Sequence, residues 1–193
     1  MAKFSIANGE ITLSKELNDI DNFVIKTARI LSKYTDYVII SGYVAIFFGR
    51  SRASEDVDMF IKELPIDKFR SMYKEFVDSG FEWHIDNPDE LYKEYLKTGT
   101  PVSVWEERFP LLRLDVKFPT KPSQRLLLTD KIKVVFGNNT LWMANIESTI
   151  AYKEQIAKSE KDILDSKHLR LVFDGLDAAK IERYKRLFNQ EFN

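Results

Sequence analysis

The chain has 193 residues, 44% of them apolar and 13% aromatic, which is enough for one substantial core. Its 29 lysines and arginines meet 30 acids, for a formal net charge of −1, so there is no general attraction to nucleic acid and any polyanion must be gripped locally. The absence of cysteine excludes disulfides and thiolate-held zinc, and two histidines are too few for a histidine-rich metal site. His84 reads as a strand residue and His168 as a helix-face residue. No apolar run is long enough to cross a membrane, and the start Met1-Ala2-Lys3 lacks the apolar stretch of a secretory signal. The expectation is a cytoplasmic globular protein without membrane contact.

In chain order, Leu17, Ile20, Phe23, Val24, Ala28, Leu31 and Tyr34 recur at helical spacing and predict an amphipathic helix over Ser14 to Tyr34. Tyr37-Val38-Ile39-Ile40 is a β-branched run that predicts a buried strand, ending in Ser41-Gly42 and passing into an apolar helix from Tyr43 to Phe48. Val57 to Ile61 alternates as a neighbouring strand. Ile66, Phe69, Met72, Tyr73, Phe76 and Val77 predict a helix entered through Pro65 and closed near Gly80, followed by a strand from Phe81 to Ile85. Asn87-Pro88-Asp89-Glu90 reads as a cap, a first-turn proline and a capping-box acid, opening a short helix to about Leu96. Lys97 to Pro101 reads as a loop, Val102 to Trp105 and Leu112 to Phe118 as strands, and Lys131 to Phe136 with Thr140 to Met143 as a hairpin across Gly137-Asn138-Asn139. Beyond Asn145 the pattern is helical, with Ser159 and Asp177 as caps. This predicts an α/β (α+β) fold with a mixed β-sheet. Residues 1–193 are read as one domain, an α/β core over about 1–145 and a helical section over about 146–193, because the latter alone makes too small a core.

Ser41-Gly42 and Asp56-Val57-Asp58 carry the chemistry. Gly42 allows close backbone approach, the helix N-terminus after it favours an anion, and the Ser41 hydroxyl adds a donor for phosphate oxygens. Side chains two apart on a strand share a face, so Asp56 and Asp58 converge. Paired carboxylates repel and favour a cation, for which Mg²⁺ is the natural choice. A bare Asp-x-Asp also describes the solvated face of a strand, and the turn upstream is what argues otherwise. Glu55 falls on the opposite face as a surface charge. Asp115, alternating within Arg113 to Phe118, supplies a third acid and a general base if its strand is adjacent, and three acids holding two metals suit in-line displacement at phosphorus. Arg50 and Arg52 precede the acids, and Lys117, Lys121 and Arg125 follow Asp115, where they can balance a triphosphate or form ordinary charged surface.

Ser41-Gly42, Gly49-Arg50, Arg52, Ser54, Asp56-Val57-Asp58 and Asp115 together resemble the signature of the nucleotidyltransferase superfamily with the polymerase-β-like fold, with small bacterial and archaeal members such as the AbiEii-type toxins and the minimal nucleotidyltransferases the nearest in pattern. The resemblance spans about Tyr37 to Arg170, and includes Asn145 to Lys153 and Lys161-Asp162-Ile163-Leu164-Asp165. The turn departs from the family's Gly-Ser or Gly-Gly. The resemblance implies metal ligands and catalytic acids at Asp56, Asp58 and Asp115, nucleotide contacts at Ser41, Gly42, Arg52 and Lys153, and two Mg²⁺ ions with Mn²⁺ as a substitute. Lys153 then reaches a β- or γ-phosphate, or else is a solvated helix lysine, with Asp165 orienting it or Lys161. It implies transfer of a nucleoside monophosphate from an NTP, ATP among them, to a hydroxyl on tRNA, protein or a small molecule, with release of pyrophosphate. The alternative is a non-catalytic antitoxin or regulatory partner of a toxin–antitoxin pair.

Overall fold

The computed structural model describes residues 4–7, 9–52, 54 and 56–192. In chain order come β1 (Phe4–Ala7), β2 (Glu10–Leu13), α1 (Asp19–Leu31), β3 (Tyr37–Ile40), α2 (Gly42–Phe47), β4 (Asp56–Ile61), α3 (Ile66–Asp78), β5 (Phe81–Trp83) and α4 (Pro88–Glu90). They continue with β6 (Val102–Glu106), β7 (Phe109–Lys117), α5 (Pro122–Thr129), β8 (Lys131–Phe136), β9 (Asn139–Ala144), α6 (Ile146–Tyr152), α7 (Glu160–Val172) and α8 (Ala178–Phe192). The described strands form one mixed sheet in the order β1-β2-β8-β9-β3-β4-β7-β6-β5. The α/β (α+β) class predicted from the pattern is therefore the observed one.

The β-branched and aromatic runs occupy the middle of this sheet, as burial on both faces requires. β3 pairs antiparallel with β4, and β4 pairs in parallel with β7. Val38, Ile39, Val57, Met59, Leu114 and Val116 are all fully buried there. The same apolar cluster takes in Ile146, Ile150, Leu169, Ile181, Tyr184 and Phe188 from the C-terminal helices, so the helical section packs onto the sheet. Asn145, Ser159 and Asp177 cap helices as predicted, accepting from the amides of Ser148, Asp162 and Lys180.

Several boundaries differ from the sequence expectation. The first helix begins at Asp19, not Ser14, because Asn18 and Asp21 exchange side-chain to backbone hydrogen bonds in a capping box that fixes the start, leaving Leu17 exposed. It ends at Leu31, with Tyr34 in a turn. The strand after Gly80 stops at Trp83. The short helix from Pro88 runs through a wide π-type turn over Leu91–Tyr95 and a tight turn over Leu96–Thr98, stopping at Gly99 with φ 80°. β7 starts at Phe109 because Glu107-Arg108 close a tight turn back from β6. Three elements were missed: the β1–β2 hairpin at Gly9, and α5, which opens on Pro122 with Gln124 accepting from the amides of Thr120 and Lys121. Glu55 lies outside the described residues.

Candidate active site

Strand alternation puts Asp56, Asp58 and Phe60 on one face of β4, and the parallel register sets Arg113, Asp115 and Lys117 of β7 opposite them on the same face. Asp58 and Asp115 are thus direct neighbours. Ser103 of β6 lies opposite Asp115 and its Oγ donates to Asp115 Oδ1 at 2.6 Å. On the other side, Ile40 pairs with Asp58, which brings the Ser41 hydroxyl against the Asp58 carboxylate. The result is a polar row across three strands and the turn after β3, Ser103 to Asp115 to Asp58 to Ser41.

The electrostatics of the row are unbalanced. Burial raises the pKa of Asp58 above the ordinary carboxylate range; Lys117 opposes that, Asp115 adds to it, the Ser41 hydroxyl opposes it and Asp56 adds a little more. Asp56 is exposed at the end of the strand. Among the described residues no three carboxylates or imidazoles are gathered closely enough to hold a metal ion together, so the arrangement is a neighbouring pair with a third acid on the same face. The pair suits a hard divalent cation, which takes one or two protein carboxylates and completes its shell with phosphate oxygens and water.

The turn beside the row has a particular geometry. Ser41 has φ 66° and ψ −139°, a conformation natural to glycine and strained for serine. A Cβ on Gly42 would lie 1.9 Å from Arg52 Nη2. The Arg52 guanidinium, the far end of a flexible side chain, thus rests on the turn at Gly42. Arg52 Nε lies 3.2 Å and Arg50 Nε 3.6 Å from Asp165 Oδ1, and Lys153 Nζ donates to Asp165 Oδ2 at 2.8 Å and to Asp162 Oδ1 at 2.9 Å. Asp165 is fully buried and Lys153 is 2% exposed. The reading of Lys153 as a solvated lysine is thus corrected: burial of its stem and two carboxylates hold it inside, at the edge of a cavity. That cavity has a volume of about 310 Å³ and is lined by Ser41, Asp58, Lys117, Tyr152, Lys153 and Lys161, among others.

Of the flanking basic groups, Lys117 faces the cavity, whereas Lys121 donates to the Glu191 carbonyl and Arg125 to the Pro119 carbonyl. His84 Nδ1 accepts from the Ser103 amide, and His168 Nε2 lies 3.0 Å from the Phe48 carbonyl oxygen. Ser103, Tyr152 and the Phe188–Phe192 end of α8 were not picked out from the sequence. Nothing in the local pattern marks them, since each reaches the site through sheet register or helix docking.

The mixed sheet with its packed helices is a fold shared with a solved nucleotidyltransferase-like protein. Among solved structures the chain is similar to an antigenic nucleotidyltransferase-like protein from Paracoccidioides brasiliensis, with a TM-score of 0.58 at 17% identity over 90% of this chain and 88% of that one. It is also similar to the lincosamide antibiotic adenylyltransferase LnuA in its lincomycin-bound form, with a TM-score of 0.49 at 13% identity over 82% of this chain and 100% of that one. No protein-family model and no curated protein matches the chain in sequence. Among the described residues no helix is long and apolar enough to cross a membrane.

Proposed function

We propose that the protein transfers a nucleoside monophosphate from an NTP to a hydroxyl acceptor with release of pyrophosphate, in a metal-dependent reaction. The observation that supports this most is the Asp58–Asp115 pair, two neighbouring carboxylates whose repulsion and burial are opposed, among the described residues, by Lys117 and two serine hydroxyls. Mg²⁺, or Mn²⁺ in its place, fits that deficit, with Asp58 and Asp115 as ligands and Asp56 outside the pair on the same face. When bound, such ions supply the positive charge that activates the attacking hydroxyl and neutralises the departing pyrophosphate.

The chain's own groups have separate tasks. Ser103 fixes Asp115 through Oδ1, so Oδ2 is the atom positioned to take the acceptor's proton. The acceptor oxygen then bonds to the α-phosphorus as the bridge to the β-phosphate breaks, and the electron pair leaves on pyrophosphate. Ser41 and Gly42 at the turn, Arg52 resting on it and Lys153 at the cavity edge are the phosphate grip, a positioning and charge-balancing role. The volume of about 310 Å³ suits one nucleotide.

The test is incubation with each α-labelled NTP, Mg²⁺ or Mn²⁺, and separate fractions of cell RNA, protein and small molecules. Label entering one fraction, and absent with Asp58→Asn, identifies the acceptor as RNA such as tRNA, protein or small molecule. No label in any fraction with any NTP overturns the catalytic reading and leaves the antitoxin or regulatory partner role.

A further inference from the structure

Part of the cavity lining is aromatic. Tyr152, at the end of α6, is 37% exposed and lines the cavity with Phe188 and Phe192. Their rings meet it edge to face, at centroid distances of 5.4 and 6.0 Å. This wall is clamped from behind. Both the amide and the hydroxyl of Ser123 donate to the Glu191 carboxylate, and Lys121 donates to the Glu191 carbonyl oxygen while its Nζ sits 3.6 Å from the Phe192 ring centre. A ring already fixed in place accepts a stacked partner without an ordering cost. Burial, then the charges of Asp58 and Asp162, raise the pKa of the Tyr152 phenol, so the ring is neutral and adjoins the acids.

The polar groups on this wall are turned inward. The Ser123 hydroxyl is bound to Glu191, and those of Ser148 and Thr149 donate to the Asn145 carbonyl at 2.9 and 3.1 Å. Gln124 spends its Oε1 on the amides of Thr120 and Lys121, which leaves its amide N–H groups, and a lone donor of that kind finds an acceptor on any base. On this wall the hydroxyls are spent within the fold and Gln124 keeps an amide donor.

We propose that Tyr152, backed by Phe188 and Phe192, is the platform on which the nucleobase stacks, so that the site ranks nucleotides by ring size and scarcely separates bases of equal size. This rests on the nucleotide reading above. Stacking is sequence-tolerant because every base has a π-face, and a purine offers more of it than a pyrimidine.

The experiment is equilibrium binding of non-hydrolysable ATP, GTP, CTP and UTP analogues with Mg²⁺ to the wild type, Tyr152→Phe and Tyr152→Leu, with melting temperature as the folding control. Leucine keeps an apolar contact with Phe188 and removes the ring. Expected are ATP and GTP analogues within about threefold of each other and about tenfold tighter than the pyrimidines, a gap kept by Tyr152→Phe and erased by Tyr152→Leu. A preference of about a hundredfold between two bases of equal size overturns the proposal, because it requires edge contacts. So does wild-type purine affinity in Tyr152→Leu. Failure of the wild type to bind any analogue overturns the nucleotide reading and the platform with it, whereas binding that ignores Tyr152 overturns the platform alone.

Discussion

Asp165 and Asp58 are both withdrawn from water, and the fold treats them in opposite ways. Asp165 is surrounded by Lys153, Arg52 and Arg50, drawn from two separate segments of chain. Its neighbour Asp162 shows the same economy: burial works to raise its pKa, yet the Ser159 hydroxyl and the Lys153 ammonium outweigh burial and hold it below the ordinary range. Asp58 has a second carboxylate beside it, and its pKa stays raised. Charge that is matched inside the fold locks elements together; charge left unmatched marks where something from outside belongs.

The sharpest way to break that contrast is to neutralise each acid in turn. Asp58→Asn is expected to lower nucleotidyl transfer by about a thousandfold while leaving the melting temperature at pH 7 unchanged or raised. The sign follows from the raised pKa: the stabilising protonated form is complete below the ordinary value of 3.8, and its contribution is lost as pH rises through the higher folded value. At neutral pH the wild type therefore bears a deficit that asparagine lacks. A variant that unfolds, or that keeps full transfer activity, would place Asp58 among the structural charges.

Asp165→Asn should instead destabilise the fold, costing about 3–5 kcal/mol in urea unfolding, because three cations lose a buried counter-charge. A loss below about 1 kcal/mol, the range of an exposed pair, would erase the distinction between the two sites. Ligand linkage gives the next effect. At about a hundredfold excess over its dissociation constant, an NTP with Mg²⁺ should stabilise the protein by about 2.7 kcal/mol, more than either alone, and Asp56→Asn with Asp58→Asn should remove the joint effect in a thermal shift assay. The smallest change is at the turn: Ser41→Gly should gain about 1 kcal/mol by relieving the strained φ, read as a higher urea midpoint with unchanged slope.

Much of this was legible in the sequence because the relevant signals are local. Tyr37 to Ile40, the Asp-x-Asp strand and the caps at Asn145, Ser159 and Asp177 are set by composition and by hydrogen bonds a few residues long. The β1–β2 hairpin was also legible through Asn8-Gly9, the strongest short-range hairpin signal, and was overlooked; Gly9 there has φ 74°. The Glu107-Arg108 turn carries no such signal, so the early start of β7 was hidden. Ser103 and Tyr152 were hidden for a different reason. Their place depends on which strands become neighbours and where α8 docks, and neither is written in any window of sequence. At Gly42 the group lying against the turn is Arg52 of the same chain, which no local pattern announces.

The contact between His168 Nε2 and the Phe48 carbonyl joins residues 120 positions apart, beside the point where Asp165 meets Arg50 and Arg52. During synthesis from the N-terminus, the Ser41-Gly42 turn and its two arginines leave the ribosome long before α7 exists to hold them. The acid row can be assembled once β7 has emerged, but the Asp165 end of the site waits for α7. Pairings of such long range also place the protein among slow-folding topologies. A nascent chain that stops short of α7 thus carries the acid row without the Asp165 cluster that holds Arg50, Arg52 and Lys153.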